Sequence, residues 1–461
     1  ARSPLSLKYS IPPNVVSIEQ LWLFDQSQAE IQRHSDLNRR EVDALKQFIE
    51  LFSDSSGIGM NVSADKLQYC FDILFNEDCR QNKRVLKASG STLFWDLALD
   101  VYNRTASDLP FIQFFYQWRS RIIPLIRIFS YEMPRAGMFY SITAGHAGVA
   151  GVVAKLQRRR PLMLTEHGLY PRERRHDMWE LSWMRMVGKD EYEKYVLFNT
   201  REHWLRYFDR LSFIAYFYSD VITTLFSKYL EIQVQLGADR SRCHTIANGM
   251  GLKLLGLRSN SAPWQGFESG KIFRVASIGR VTPIKDIKCL INAITIARRK
   301  QPNIRCDIYG PLDQEQAYVE SCLLLIKNAG QEKYIKLVGK MPITDILPCT
   351  DLLCLTSLSE GQPMVILEAA LAGIPVVTSD VGGCRDLVEG DSSEDRDLGP
   401  NGLLTPMVDP EQTAEAILKI AENPKLWSEF SNIGMQRATL YYDERRTVNE
   451  YFDLFKICLD M

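Results

Sequence analysis

From residue 273 onward two kinds of segment alternate along the chain. Short apolar runs at 273–279, 304–310, 335–338, 352–356 and 375–379 are bounded by glycine, proline or charged residues. Longer stretches between them repeat apolar residues every three or four positions. The first kind reads as strands buried on both faces and the second as amphipathic helices. Together they predict a parallel sheet covered by helices on both sides. The same alternation starts at Met138, with strands expected at 139–142, 161–165 and 220–224. A small-residue helix running to Arg160 follows the first of these, and a helix-rich stretch to about Leu211 follows the second. Before residue 130 the pattern is looser. Residues 11–25 read as a short strand or two, while 41–52, 61–75 and 92–102 have helical spacing. The aromatic-rich segment 111–131, interleaved with Arg119, Arg121 and Arg127, reads as a buried helix pair or a partner surface. A last helix over 445–459 carries an apolar stripe of Val448, Tyr451, Phe452, Phe455 and Cys458.

Residues 251–271 hold serine, glycine and one proline as punctuation, with little periodicity, and mark a linker. The expected organisation is an N-terminal domain over 1–250, that linker, a C-terminal domain over 272–443, and a helix over 444–461 returning toward the first domain. A chain of 461 residues is long enough for two or three domains. Net charge is -1, from 55 basic and 56 acidic residues, which gives no electrostatic ground for a nucleic-acid or anionic-membrane partner. No apolar run reaches the roughly 18 residues of a membrane span. The run from Leu211 to Phe226 is broken by Asp220, and the segment opening at Ala1-Arg2-Ser3-Pro4 has no signal-peptide core. The ten cysteines never stand as Cys-x-x-Cys, and several fall in apolar patterns. They read as reduced core residues of a cytoplasmic protein, not as a disulfide frame or a zinc site.

Candidate chemistry concentrates in two places. Glu360 and Glu368 flank Pro363, Met364 and Val365, just after the strand at 352–356. Proline suits a helix start, and the unpaired N–H groups of a first turn attract an anion. Two carboxylates beside a phosphate make sense if the phosphate bridges a sugar and a nucleoside, each glutamate accepting from one set of hydroxyls. The bland alternative is a helix start with one exposed and one capping carboxylate. The second place is the loop Gly279-Arg280-Val281-Thr282-Pro283-Ile284-Lys285-Asp286, at the carboxyl end of the strand 273–279. Ligands of open α/β sheets bind at such ends. Arg280 and Lys285 can neutralise a leaving diphosphate by fixed charge, or be ordinary solvated cations.

These residues resemble the retaining glycosyltransferases of family 4, which have the GT-B fold of two Rossmann-like domains facing across a cleft. Within that family they are similar to the PelF group of Pel exopolysaccharide synthesis. The resemblance rests on the loop 279–286, on Ser359-Glu360-Gly361-Gln362-Pro363-Met364-Val365-Ile366-Leu367-Glu368-Ala369, and on Val381-Gly382-Gly383-Cys384-Arg385-Asp386-Leu387. Thr165-Glu166-His167-Gly168-Leu169-Tyr170 with Arg172-Glu173-Arg174 and the 394–399 segment carry it further. The resemblance implies that Arg280 and Lys285 hold the diphosphate of a UDP-sugar and that Glu368 binds the ribose. It also implies that Glu360, with the backbone of Gly361 to Val365, holds the transferred sugar. His167, at a strand end, either faces the sugar or acceptor or is a turn histidine. Arg172 and Arg174 contact acceptor or phosphate, or lie on the surface. Two features depart from the family pattern. No glycine-rich loop appears before Gly57, so the first strand and loop of the N-terminal domain are expected to be missing. Tyr140 or Ser141 stands where the family has a histidine, with His146 several residues later.

The implied reaction passes a hexosyl or hexosaminyl group from a UDP-sugar to a growing polysaccharide, keeping the anomeric configuration. The UDP-sugar enters as substrate, and neither a cofactor nor a metal is expected. The only Asp-x-Asp, Asp395-Arg396-Asp397, falls in what reads as an acidic, polar insertion over 390–401. Expected partners are the donor, the polysaccharide acceptor and subunits of an inner-membrane polysaccharide synthase, with the chain itself cytoplasmic. The competing readings are a nucleotide-sugar-binding scaffold of such a synthase and a GT-B sugar-nucleotide epimerase.

Overall fold

The computed structural model describes residues 11–23, 34–53, 60–181, 188–257 and 263–461. Its contacts divide the chain into two units, Ala1–Ile222 with Gln233–Arg242, and Thr223–Ile232 with Cys243–Asp460; the last residue, Met461, groups with the first.

The helices Arg39–Ser53, Met60–Leu74, Thr92–Thr105, Phe111–Ser130 and Glu191–Tyr218 supply most of the core of the first unit, built around Phe48, Phe75, Trp118 and Phe129. Strands β1 (Phe139–Ser141) and β2 (Leu162–Glu166) pair in parallel within it, and β3 (Val221–Thr224) and β4 (Cys243–Thr245) follow along the chain. No strand occurs over 11–23, contrary to expectation, and residues 24 and 25 lie outside the described residues. Pro12 and Pro13 have no N–H to give to a ladder. The segment 111–131 is one helix and not a pair. Phe114, Trp118, Ile122, Leu125 and Phe129 line its buried face, while Ile112 and Tyr116 are exposed.

The second unit contains β5 (Phe273–Ile278), β6 (Ile304–Tyr309), β7 (Ile335–Gly339), β8 (Leu352–Leu355), β9 (Val376–Ser379) and β10 (Gly402–Thr405). Their order is β10-β9-β8-β5-β6-β7, and every neighbouring pair is parallel. From β5 the chain winds outward to β7, then returns to lay β8 on the other side of β5. The order therefore reverses between β5 and β8, the switch point of a doubly wound sheet. Alternate strand residues feed opposite cores. Leu352 and Cys354 join Phe273 and Ile291 on one side, while Leu353 and Leu355 join Ile366 and Leu371 on the other.

Neither β4 nor β10 was expected: β4, Cys-His-Thr, has no apolar run, and in β10, Gly-Leu-Leu-Thr, only Leu403 and Leu404 are apolar. The segment 251–271 is anchored: Leu254 and Trp264 are buried, and the Trp264 indole N–H donates to the Ala421 carbonyl at 2.8 Å. Residues 258–262 of it lie outside the described residues.

The segment 390–401, expected as a polar insertion, is tied into the core. It contains the helical turn Ser393–Arg396, and Asp395 is buried against the equally buried Arg437 at 2.6 Å. Arg437 also donates to the carbonyls of Val388, Asp395 and Gly399. The terminal helix Glu444–Asp460 buries Cys458 and half-buries Tyr451 and Phe455 of the expected stripe, but it leaves Val448 and Phe452 exposed and buries Leu454 instead. Thr447 donates to the Ala247 carbonyl at 2.9 Å. No helix among the described residues is long and apolar enough to cross a membrane.

Candidate active site

The two loops singled out in the sequence leave adjacent strands, β5 and β8, at the switch point. After β5 the chain turns sharply at Gly279. A Cβ on Gly310, after β6, would lie 1.8 Å from the Gly279 carbonyl oxygen, so this close approach requires glycine. A short 3-10 turn, Pro283–Lys285, then leads to Asp286, held in the left-handed region at φ 42°. Asp286 accepts from the Cys289 N–H and so caps the helix Ile287–Lys300. Burial pushes its carboxyl above the ordinary range.

After β8, Thr356 donates its hydroxyl to the carbonyls of Lys285 and Asp286, at 3.2 and 2.9 Å. The Leu358 N–H donates to the Ile284 carbonyl at 2.8 Å. These bonds lock one loop to the other, and at their junction Lys285 Nζ lies 2.5 Å from Glu360 Oε1. Ser357 Oγ donates to the same oxygen at 2.5 Å. The pair is largely shielded, with side-chain exposures of 21% and 9%. Arg280 is exposed and forms no ion pair among the described residues.

The backbone of Glu360 and Gly361 is held from three sides. Tyr229 donates its hydroxyl to the Glu360 carbonyl at 3.2 Å. The Gly383 N–H donates to the Gly361 carbonyl at 2.8 Å. Gly382, at φ +56°, comes so close that a Cβ there would stand 1.9 Å from the Glu360 carbonyl oxygen. Next to it, Gln362 Oε1 accepts from the Asn248 N–H at 2.7 Å.

The helix begins as the sequence suggested. Pro363 is its N-cap, and Met364–Leu371 are helical. The Ile366 N–H donates to the Pro363 carbonyl at 3.0 Å, while those of Met364 and Val365 have no partner within the helix. Glu368 lies in the second turn, half-buried, and burial raises its carboxyl above the ordinary range. The second unit thus carries Arg280, Lys285, Glu360, Gly361, Pro363, Met364, Val365 and Glu368 on two neighbouring loops and the helix that follows, and joins Lys285 to Glu360 directly. The arrangement presents two cations, an open helix start and two acidic side chains. It has the chemistry to hold an anion with hydroxyl-bearing groups on either side of it.

His167 belongs to the first unit. It is exposed, directly after β2. The buried group there is its neighbour Glu166, which the sequence reading gave no role. Glu166 accepts from the Tyr216 hydroxyl at 2.6 Å, the Gln233 amide at 2.9 Å and the Tyr170 N–H at 3.2 Å. Burial pushes its carboxyl up, and these three donors oppose that. Arg172 is exposed, and Arg174 pairs with Asp177 at 2.9 Å. His146 accepts from or donates to the Tyr207 hydroxyl at 2.8 Å, and burial with the nearby Arg174 pushes its pKa down to about 4.

Among residues not anticipated, only Ser357 left a local trace, in the Ser-x-x-Glu spacing that often marks a side chain reaching back along a turn. Tyr229 and Asn248 meet the Glu360 loop from distant points of the chain, and local spacing carries no sign of them; Gly382 stands in a segment that carries the resemblance, but its contact with Glu360 does not show in the sequence. Asp395 accepts from Arg437 at Oδ1 and from the Asp391 N–H at Oδ2, and no group of three or more potential metal ligands occurs among the described residues.

Two family profiles match the chain: a domain of unknown function, DUF3492, over residues 1–241, and glycosyl transferases group 1 over residues 261–437. A D-inositol 3-phosphate glycosyltransferase of Kribbella flavida is 30% identical over 158 residues, 32% of this chain and 35% of that protein. The GtfA subunit of a UDP-N-acetylglucosamine–peptide N-acetylglucosaminyltransferase from Streptococcus gordonii is 28% identical over 141 residues, 30% of this chain and 26% of that one. The chain thus matches about a third or less of the length of these relatives. Among solved structures, Anabaena HepE in complex with UDP superposes with a TM-score of 0.54 at 22% identity, covering 69% of this chain and 78% of that one. The fold is accordingly of the GT-B class, with parallel-sheet units of Rossmann type. The chain belongs to the DUF3492 family, whose model matches residues 1–241, and residues 261–437 match the model of glycosyl transferases group 1.

Proposed function

We propose that this protein is a retaining glycosyltransferase that moves a hexosyl or hexosaminyl group from a UDP-sugar to a growing polysaccharide, in Pel-type exopolysaccharide synthesis. The observation that carries this reading is the contact of Lys285 with Glu360 at 2.5 Å, formed where the loops after β5 and β8 meet at the switch point. Arg280 and Lys285 take the diphosphate, together with the N–H groups at Met364 and Val365. Glu360 and the backbone from Gly361 through Pro363 to Val365 take the sugar, and Glu368 takes the ribose hydroxyls. UDP is favoured because UDP-N-acetylglucosamine is named for a relative and UDP is bound by HepE. The Pel assignment rests on the sequence motifs alone.

Transfer proceeds on one face of the sugar. The bond from the anomeric carbon to the β-phosphate oxygen breaks, its electron pair leaving with UDP. The acceptor oxygen bonds to the same carbon from the same side, and its proton passes to the departing phosphate. Fixed cations stabilise the growing negative charge without reorganising, and binding holds the acceptor in place. No metal is required in this scheme, since Arg280 and Lys285 supply the positive charge. His167 is the candidate for contact with sugar or acceptor. The chain works in the cytoplasm and reaches the inner membrane through synthase subunits.

The test is to incubate the chain with a panel of UDP-, GDP- and ADP-sugars and an oligosaccharide acceptor, with and without a magnesium chelator. Transfer from a UDP-sugar that the chelator does not abolish, with the product anomer matching the donor by NMR, is the expected result. Conversion of the donor to an isomer without acceptor would instead mark an epimerase, and tight binding without turnover a scaffold.

A further inference from the structure

Glu360 is engaged at one oxygen only. Lys285 and Ser357 both donate to Oε1, each at 2.5 Å. No hydrogen bond to Oε2 is found among the described residues, and the contacts of Tyr229, Gly382 and Gly383 hold the backbone beneath it in place. The carboxylate therefore has one face committed to a cation and one open to a hydrogen-bond donor. The cation it holds is also the one that the donor reading assigns to the diphosphate. An anion arriving at Lys285 meets a negative charge already in contact with that ammonium.

We propose that Glu360 discriminates between the intact sugar nucleotide and the spent nucleoside diphosphate, an inference that rests on the donor reading above. An intact donor brings sugar hydroxyls that donate to Oε2, and these contacts offset the repulsion between carboxylate and diphosphate. Bare UDP brings no such donors and carries an additional charge on its free terminal phosphate. Glu360 then only opposes it, by competing for Lys285. The carboxylate thus favours the substrate in binding and hastens the departure of the product. This differs from a purely attractive sugar contact, which would leave the affinity for bare UDP untouched.

Calorimetry of UDP binding to the full chain separates the two. Glu360→Gln keeps the side-chain shape and an oxygen for Ser357, and removes the charge. The expected result is UDP binding about two- to fivefold tighter than in the unsubstituted protein, the size that loss of a partly shielded ion pair implies. Unchanged or weaker binding, in a variant whose melting midpoint shows it folded, overturns the proposal. Arg280→Ala and Lys285→Ala are measured beside it. If they weaken UDP binding and Glu360→Gln does not tighten it, the discrimination fails and the donor reading stands. If neither weakens it, the donor reading fails and this inference with it.

Discussion

At the residue scale, much of the site follows from where single charges are buried and what they meet. Arg280→Ala and Lys285→Ala are each expected to weaken UDP binding by roughly tenfold or more, as loss of a charge-assisted phosphate contact of about 1.5–3 kcal/mol implies. Unchanged affinity by calorimetry would contradict the diphosphate role. Asp395 and Arg437 pose a structural case. Their side chains keep 2% and 1% exposure, so removing one leaves the other as an uncompensated buried charge. Arg437→Ala should lower stability by about 3–5 kcal/mol in urea titration, whereas an exposed pair would cost almost nothing. His146 makes a pH-dependent contribution. Its pKa is depressed from 6.5 to about 4 in the folded chain, by burial first and Arg174 second. Between those values the unfolded chain binds a proton that the folded one does not, so stability falls as pH falls from 6.5 toward 4. Asp386 acts in the opposite sense. Burial, then Asp391, raises its carboxyl from 3.8 to about 6, so its stabilising share is lost as pH rises through that window. Urea midpoints across pH 4–6.5 should lose part of their acid-side fall in His146→Gln and steepen it in Asp386→Asn.

At the element scale, the pieces of the site are placed by loops pressed against loops. Gly382 is the tightest of these contacts around Glu360. Its left-handed backbone and its approach to the Glu360 carbonyl leave no room for a Cβ. Gly382→Ala should push the Glu360 loop away, lowering the melting midpoint and weakening UDP binding together. A variant with an unchanged midpoint and unchanged affinity would show that the loop does not depend on that contact. The strand–helix alternation around the site is readable because β8, buried on both faces, is continuously apolar, and β9 opens on Val376 and Val377 directly after Ile374 and Pro375. In β10, of the same length, Leu403 and Leu404 stand between Gly402 and Thr405 with no such run. The same limit applies to the helix Glu444–Asp460. Overlapping apolar stripes exist on it, and only its contacts decide that Leu454 turns inward with Cys458 while Val448 and Phe452 turn out.

At the scale of the whole molecule, the chain builds separate cores, a helical one in the first unit and two flanking the six-stranded sheet of the second. Such units are expected to unfold in two calorimetric transitions. Since the proposed donor groups all lie in the second unit, UDP should raise the transition that Gly382→Ala lowers, by about 2.7 kcal/mol at a hundred times the dissociation constant. A single transition, or a shift confined to the other one, would count against this. The sequence by itself determined the parallel α/β character, the two loops bearing Arg280, Lys285, Glu360 and Glu368, and the helix start at Pro363. These depend on periods of two and 3.6 residues and on turn chemistry, which act between near neighbours. Only the tertiary structure decided the strand reversal that seats β8 beside β5, the pairing of Lys285 with Glu360, and the burial of Asp395 on Arg437. Each joins residues more than forty positions apart, and at that distance the partner is chosen by packing and charge compensation that no local pattern records.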